Sequence, residues 1–300
     1  MPRTCILICT FERPQLLHKL LAALVDQVRG QACTVIVVDN GTSSSEDIVL
    51  AFRASMNIVY DRLSARGLVS ARNRALTLGI ARKPEFLVFI DDDEVPEALW
   101  LANLIARLEE TGADFACGPV IPDYAAPPPR WAKQGEFFNA SADSFRTSNL
   151  ILRASCIPSV ESQWFRPEFN FSGGEDDEFL SRLAAGGAVH VEATTAVVRE
   201  TIPQSRMRRR YIWRRGLRDG VAIAQIARLR NTSHAGFMAK VLWRACAKLG
   251  YGLNHLFWSP GTSWRLQSAI ADFACAFGII TRALGVKFAF YGRVEAATRR

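Results

Sequence analysis

The chain lacks the marks of several special classes of protein. Its seven cysteines (Cys5, Cys9, Cys33, Cys117, Cys156, Cys246 and Cys275) are odd in number and form no Cys-x-x-Cys pair. A disulfide or zinc framework is therefore not expected, and a reducing compartment is. Cys5, Cys9 and Cys33 fall in apolar strand-like runs, where cysteine behaves as a small buried hydrophobe. No clean membrane span is visible, since one needs about 20 apolar residues with few charges. The first apolar run, Cys5 to Cys9, stops at Thr10-Phe11-Glu12-Arg13, too short for a secretory leader. Internal repeats and low-complexity tracts are absent as well. A cytosolic protein is expected.

Acidic residues are scarce in one part of the chain. Residues 199–300 hold 19 Lys/Arg against 4 Asp/Glu, a net of +15; residues 1–198 hold 18 against 25, a net of −7, and together they give +8. A basic part joined to an acidic one points to an anionic partner, either phosphates or a membrane surface. At 300 residues, with 49% apolar and 22% charged residues, there is ample material for a packed core.

Over the first 120 residues, strand-like runs alternate with amphipathic helical stretches. Strands are expected at Cys5–Thr10, Thr34–Asp39, Asn57–Tyr60, Phe86–Asp91 and Ala113–Val120. Helices are expected at Pro14–Val28, Ser45–Ala54, Ser70–Ile80 and Glu97–Thr111. This alternation predicts an α/β fold with a largely parallel sheet and helices on both faces. Residues 122–134, with Pro127-Pro128-Pro129, read as a surface loop. Thr147–Arg153 and Ala188–Val198 read as later strands, and Glu175–Ala185 as a helix opened by Gly173-Gly174. Beyond Arg199 an arginine-dense segment, Ser205–Arg218, precedes two hydrophobic helical stretches, Phe237–Phe257 and Leu266–Tyr291. Lys240, Arg244 and Lys248 interrupt the first; Asp272, Arg282 and Lys287 interrupt the second. With Trp243, Trp258 and Trp264 nearby, the profile suits helices lying in a membrane interface or a helical subdomain packed on the sheet.

The chemistry concentrates where Phe86 to Ile90, an apolar run, meets four consecutive acids, Asp91 to Glu94. Ligands of open α/β sheets bind beyond the carboxyl ends of strands. Carboxylates crowded there repel unless a cation sits among them. A magnesium-type ion takes one or two carboxylates and fills its remaining positions with water and phosphate. Asp91 and Asp93 are the candidate metal ligands. Asp39 closes the second strand, where a carboxylate can accept hydrogen bonds from a base N–H or a ribose hydroxyl, or merely cap a turn. Arg72 and Arg74, near a helix start, suit phosphate. A second acidic cluster, Gly173-Gly174-Glu175-Asp176-Asp177-Glu178, opens a helix and supplies either a cap or a general base. Trp100, Trp131 and Trp164 can stack on sugar rings or fill a core.

Taken in order, Thr10-Phe11-x-Arg13-Pro14, Val35-Ile36-Val37-Val38-Asp39-Asn40-Gly41, Ala71-Arg72-Asn73, Phe89-Ile90-Asp91-Asp92-Asp93-Glu94-x-Pro96 and Gly173-Gly174-Glu175-Asp176-x-Glu178 resemble the family-2 glycosyltransferases. The likeness covers roughly residues 4–200. Trp100-Leu101, Gly118-Pro119-Val120, Trp131, Thr147-Ser148-Asn149 and Arg199-Glu200-x-x-Pro203 are similar to the succinoglycan-type subgroup that builds bacterial exopolysaccharide.

The resemblance implies a GT-A (Rossmann-like) domain over residues 1–204 and a basic, helical, membrane-associating region over residues 205–300. It implies a UDP-sugar donor contacted by Thr10, Phe11, Arg13, Asp39, Arg72, Asn73 and Asp91, and Mn2+ or Mg2+ on Asp91 and Asp93. Asp176 is the implied base, with Glu175 as second choice. Arg206, Arg208, Arg209 and Arg210 would clamp the diphosphate or grip acidic lipid headgroups. The expected reaction is inverting transfer of one sugar to a saccharide or lipid-linked oligosaccharide acceptor, at the inner face of the cytoplasmic membrane. Processive members carry Gln-x-x-Arg-Trp, whereas Gln204 here is followed by Ser-Arg-Met-Arg. Two alternatives stand beside this reading. One is a nucleotidyltransferase, against which the absence of a Gly-rich basic loop after the first strand counts. The other is a membrane-associated scaffold or nucleic-acid binder built on the basic region. No nucleic-acid partner is expected.

Overall fold

The structure is a computed structural model that describes residues 3–231, 233–257 and 263–290. Trp258 and Tyr291, two of the aromatics in the expected interfacial helices, lie outside the described residues. The chain divides into two compact units. The first comprises Met1–Asp123, Asn139–Pro167 and Asp176–Thr201; the second comprises Tyr124–Phe138, Glu168–Glu175 and Ile202–Arg300.

The first unit is built on β1 (Thr4–Thr10), β2 (Cys33–Asp39), β3 (Ile58–Arg62), β4 (Phe86–Phe89), β6 (Phe115–Cys117), β8 (Leu150–Arg153) and β9 (His190–Glu192), ordered β3-β2-β1-β4-β8-β6-β9. Only the β4–β8 and β8–β6 pairs are antiparallel. Helices α1 (Pro14–Val28), α2 (Glu46–Leu50), α3 (Leu68–Ile80) and α4 (Trp100–Thr111) connect the strands, giving the expected mostly parallel α/β sheet. Strand β1 reads as a continuous apolar run because both of its faces are covered: Cys5, Ile6, Leu7 and Ile8 are all buried. Helix α1 begins with Pro14 at its first position and turns Leu17, Leu20, Leu21, Leu24 and Val28 inward.

Strand order places the site. From β1 the chain steps outward to β2 and β3, then returns to add β4 on the other side of β1. The segments leaving β1 and β4 thus diverge around a crevice at their carboxyl ends. The β1–β4 register pairs Leu7 with Phe89, so three residues on, Thr10 comes opposite Asp92.

Several boundaries differ from the sequence reading. The acidic strand ends at Phe89 rather than Asp91, because the carboxylates turn out of the ladder. Glu94–Pro96 forms β5 of a second sheet, ordered β5-β10-β7 with β7 (Val120–Tyr124) and β10 (Val198–Ile202). The expected strands Ala113–Val120 and Ala188–Val198 each break in two, and their halves serve the two different sheets. One joint holds both breaks. Asn149, fully buried, accepts the Trp100 indole N–H at 2.7 Å and donates to the carbonyls of Pro119 (3.0 Å) and Ala196 (2.6 Å). A Cβ on Gly118 would lie 2.3 Å from the Asn149 amide, so this contact requires glycine. Asn149→Ala would strand a buried indole donor and two carbonyls, and should cost about 2–4 kcal/mol in urea unfolding without changing the m-value.

In the second unit the expected loop over residues 122–134 ends in a short helix, α5 (Arg130–Gln134). Pro129 sets its N-cap with φ −63°, and Ala132 is buried within a cluster including Phe138, Ile202 and Ile212. Three long helices follow, not two: α7 (Arg209–Arg230), α8 (His234–Phe257) and α9 (Ser263–Ala283). Helices α7 and α9 cross closely. A Cβ on Gly216 would approach the Ala271 carbonyl oxygen to 2.4 Å, and one on Gly220 the Cys275 oxygen to 2.0 Å. Among the described residues no helix is long and apolar enough to cross a membrane.

Candidate active site

Four acids and two guanidiniums meet at the crevice of the first unit. Thr10 Oγ1 donates to Asp92 Oδ2 at 2.8 Å, as the register requires. Arg13, at the mouth of α1, bridges Asp92 (2.8 Å) and Asp93 (2.9 Å), whose side chains are only 6% and 7% exposed. Asp91 is the accessible member at 43% exposed, and Arg72 approaches it to 3.8 Å from α3. Glu94 is buried and accepts the Asp91 backbone N–H at 2.9 Å.

The electrostatics of this floor are strained toward protonation. Lost hydration pushes the Asp91 carboxyl up; Asp93 and Asp176 push the same way, and Arg72 and Arg13 oppose. Burial likewise raises Asp92 to about 6 despite Arg13, and carries Glu94 well above the ordinary carboxylate range, helped by Asp91. Acids that hold protons against their usual pKa are acids short of positive charge.

The donor set fits a hard divalent cation. Among the described residues no group of three or more His, Cys, Asp or Glu converges as a metal site by itself. That suits an ion of the magnesium type, which takes one or two carboxylates and completes its shell with water and phosphate oxygens. Asp91, exposed into the crevice, is placed to supply such an oxygen, while Asp93 already has Oδ2 on Arg13.

The second acidic cluster reaches the same place. Helix α6 (Glu175–Ala185) begins there, and Asp176 stands close enough for its charge to raise Asp91. Asp176 Oδ1 accepts the Asp177 backbone N–H at 2.9 Å, and its side chain is half-buried. Its neighbours differ. Glu175, the second choice for base, is buried at 3% exposure. Glu178 is buried between Arg166 (3.0 Å) and Arg182 (3.0 Å), an ion-pair cluster that ties α6 to the segment before it.

Other sequence candidates are engaged by the chain itself. Asp39 is fully buried and accepts hydrogen bonds from Gly41 N–H (2.9 Å), Ser45 N–H (2.8 Å) and the Tyr60 hydroxyl (3.0 Å), so it shapes the turn after β2. Asn73 donates to the Phe165 carbonyl at 2.8 Å and accepts the Phe165 N–H at 3.1 Å, bridging to that backbone. Arg74 is paired through two hydrogen bonds with Asp61 (2.8 and 2.9 Å), which holds that carboxyl below its usual range. Phe11 is half-buried at the start of the Thr10–Arg13 turn. Trp100 and Trp164 are core residues, 0% and 4% exposed, and Trp131 packs on Phe137 and Phe138.

Sequence reading passed over Asp92 as the spacer between two metal ligands; the β1–β4 register was the signal that gives it Thr10 and Arg13 as partners. It also passed over Glu12, whose carboxylate takes the Thr42 N–H and hydroxyl and the Ser43 N–H, tying the turns after β1 and β2 together. A separate cavity of about 590 Å³ is lined by Asp114, Cys156, Arg166, Arg182 and Ala188. Asp114 directly precedes β6 and Ala188 lies two residues before β9, so it opens at the end of the sheet opposite the acidic crevice.

A mostly parallel sheet with an acidic crevice at its switch point defines a glycosyltransferase of the GT-A class. The family model for glycosyl transferase family 2 matches residues 5–167, and the chain belongs to that family. It is 27% identical over 292 residues, covering 93% of this chain and 92% of the relative, to the succinoglycan biosynthesis protein ExoM of Rhizobium meliloti (strain 1021). A 117-residue stretch is 33% identical to the hyaluronan synthase of Pasteurella multocida, covering 38% of this chain and 12% of that one. Among solved structures, a mannosyltransferase from Pyrobaculum calidifontis in complex with GDP-Man and Mn2+ aligns with a TM-score of 0.59 at 17% identity, over 94% of this chain and 88% of that one.

Proposed function

We propose that this enzyme transfers a single sugar, with inversion, from a UDP-sugar to a saccharide acceptor carried on a lipid, in a reaction assisted by Mn2+ or Mg2+. The observation that carries the reading is that Asp176, in the first turn of α6, stands near enough for its charge to raise the Asp91 carboxyl beyond the end of β4. Asp176 is assigned as general base. As the acceptor hydroxyl oxygen bonds to the anomeric carbon, Asp176 takes its proton; the bond from that carbon to the diphosphate oxygen breaks on the opposite side, so configuration inverts in one displacement. When bound, the divalent ion neutralises charge developing on the departing diphosphate. Arg72 is placed beside Asp91 to meet the same charge, and Arg13 holds Asp92 and Asp93 in place.

UDP as the base-bearing half rests on analogy. A structural neighbour, residues 1–349 of S. aureus TarS in complex with UDP (TM-score 0.51, 15% identity), supports it. The mannosyltransferase bound to GDP-Man is the observation favouring a guanine donor instead. Catalysis is assigned to residues 1–204 and association with an anionic membrane surface to residues 205–300. A panel of nucleotide-sugars with Mn2+ present or chelated tests the whole reading. Release of UDP that requires the metal and disappears in Asp93→Ala supports it. Release of pyrophosphate, or no turnover of any donor alongside RNA binding, overturns it.

A further inference from the structure

Helix α8 has its polarity turned inside out. A helix on a water-soluble protein shows charge to solvent and hides its apolar stripe. Here Phe237, Val241 and Ala245 are buried, yet the solvent side is apolar too. Met238 is 37% exposed, Leu242 64%, Trp243 69%, Leu249 39%, Leu253 48% and Phe257 74%. At 100° per residue these six fall within one continuous sector of roughly 140°. The basic residues that interrupt the hydrophobic run, Lys240, Arg244 and Lys248, recur every fourth position on the side turned away from that sector and are half-buried, Lys248 pairing with Asp272 at 2.9 Å. No acidic residue occurs anywhere in α8.

We infer that the outer face of α8 seats in the interfacial layer of an anionic lipid bilayer, with the helix axis in the membrane plane. A helix carrying three cations along its length cannot cross the hydrocarbon, but it can float its apolar sector among acyl chains with those cations turned away from them. Charge selects this occupant over a second copy of the chain. Residues 199–300 carry a net of +15, so two copies meeting through this surface would bring like charges together, whereas an anionic lipid surface supplies the opposite sign. The inference deepens the lipid-linked-acceptor reading by naming the element that brings the enzyme to its acceptor, but its support is the helix itself.

Flotation of the full chain with vesicles tests it, using phosphatidylcholine alone or mixed with phosphatidylglycerol. The wild type should bind the mixed vesicles, and Leu242→Glu/Leu253→Glu should bind them at least about tenfold more weakly, since each leucine withdrawn from lipid forfeits a large apolar contact. Both side chains face solvent, so the variant should keep the wild-type melting temperature and its metal-dependent nucleotide-sugar hydrolysis in vesicle-free buffer. That hydrolysis assay reports on the glycosyltransferase reading independently of lipid. Three results overturn the inference: no flotation of the wild type, equal flotation of the variant, or light scattering that shows a wild-type dimer converted to monomer by the double substitution. Binding that needs phosphatidylglycerol and fails in the variant supports it.

Discussion

Asp176→Asn should lower kcat by about 10²–10⁴-fold while leaving donor binding nearly intact, the range for loss of a positioned general base. The substitution keeps the shape of the side chain and an oxygen to accept the Asp177 N–H, so α6 should begin where it does now. Removing a negative charge close to Asp91 also eases the repulsion that raises the Asp91 carboxyl, so affinity for the metal and nucleotide should not collapse. The expected signature is therefore a fall in kcat with little change in the UDP-induced rise in melting temperature. The neighbouring acids supply the controls. Glu178→Gln should leave the chemistry in place but destabilise the fold by about 3 kcal/mol, because it removes the buried anion between Arg166 and Arg182. Glu175→Gln should retain turnover; if it instead produces the large kcat loss and Asp176→Asn does not, the base has been assigned to the wrong residue.

That the acids of this cluster differ in burial and in partners was only half legible in the sequence. The motif located the cluster and the start of its helix, because a Gly-Gly pair before a run of acids is a local signal. It did not separate the acids: Arg182 is a helical i+4 neighbour of Glu178, but Arg166 closes the cluster from outside α6 and meets Glu178 only after the chain has folded. The sheet shows the same divide. Its strands were visible as apolar runs with helical stretches between them, and β1, β2 and α1 fall within a residue or so of expectation. The two strands that broke in half did so at Gly118-Pro119 and after Glu192, where Asn149 and Trp100 arrive from elsewhere in the chain. Asp39 and Asn73 were chosen by motif, and the structure adds that Asp39 accepts from nearby backbone N–H groups while Asn73 bridges to the distant backbone of Phe165. The basic region was recognisable by charge alone. The apolar side of α8 was not, since an interrupted hydrophobic run does not reveal which of its residues a neighbouring helix will cover.

Arg13→Met should cost about 3 kcal/mol of stability at neutral pH and less in mild acid. The guanidinium is the shared partner of Asp92 and Asp93, two carboxylates almost removed from water. Breaking a buried pair from one side typically costs about 3–5 kcal/mol, and the partial exposure of Arg13 puts this case at the low end. The pH dependence follows from the direction of the shift. Asp92 titrates at about 6 in the folded chain even with Arg13 present, above the value of about 3.9 for an unfolded aspartate. Between those two values the folded state binds more protons than the unfolded one, so the contribution of Asp92 to stability falls as pH rises through this window. Loss of Arg13 raises the folded pKa further and extends the fall to higher pH. Urea unfolding of wild type and variant at pH 4.5 and pH 7.5, without divalent cations, measures the difference directly. The gap between the two proteins should be wider at the higher pH than at the lower one, where a protonated Asp92 no longer needs the cation. A gap of equal size at both would mean that Arg13 contributes packing rather than charge, and that the acidic floor is not short of positive charge.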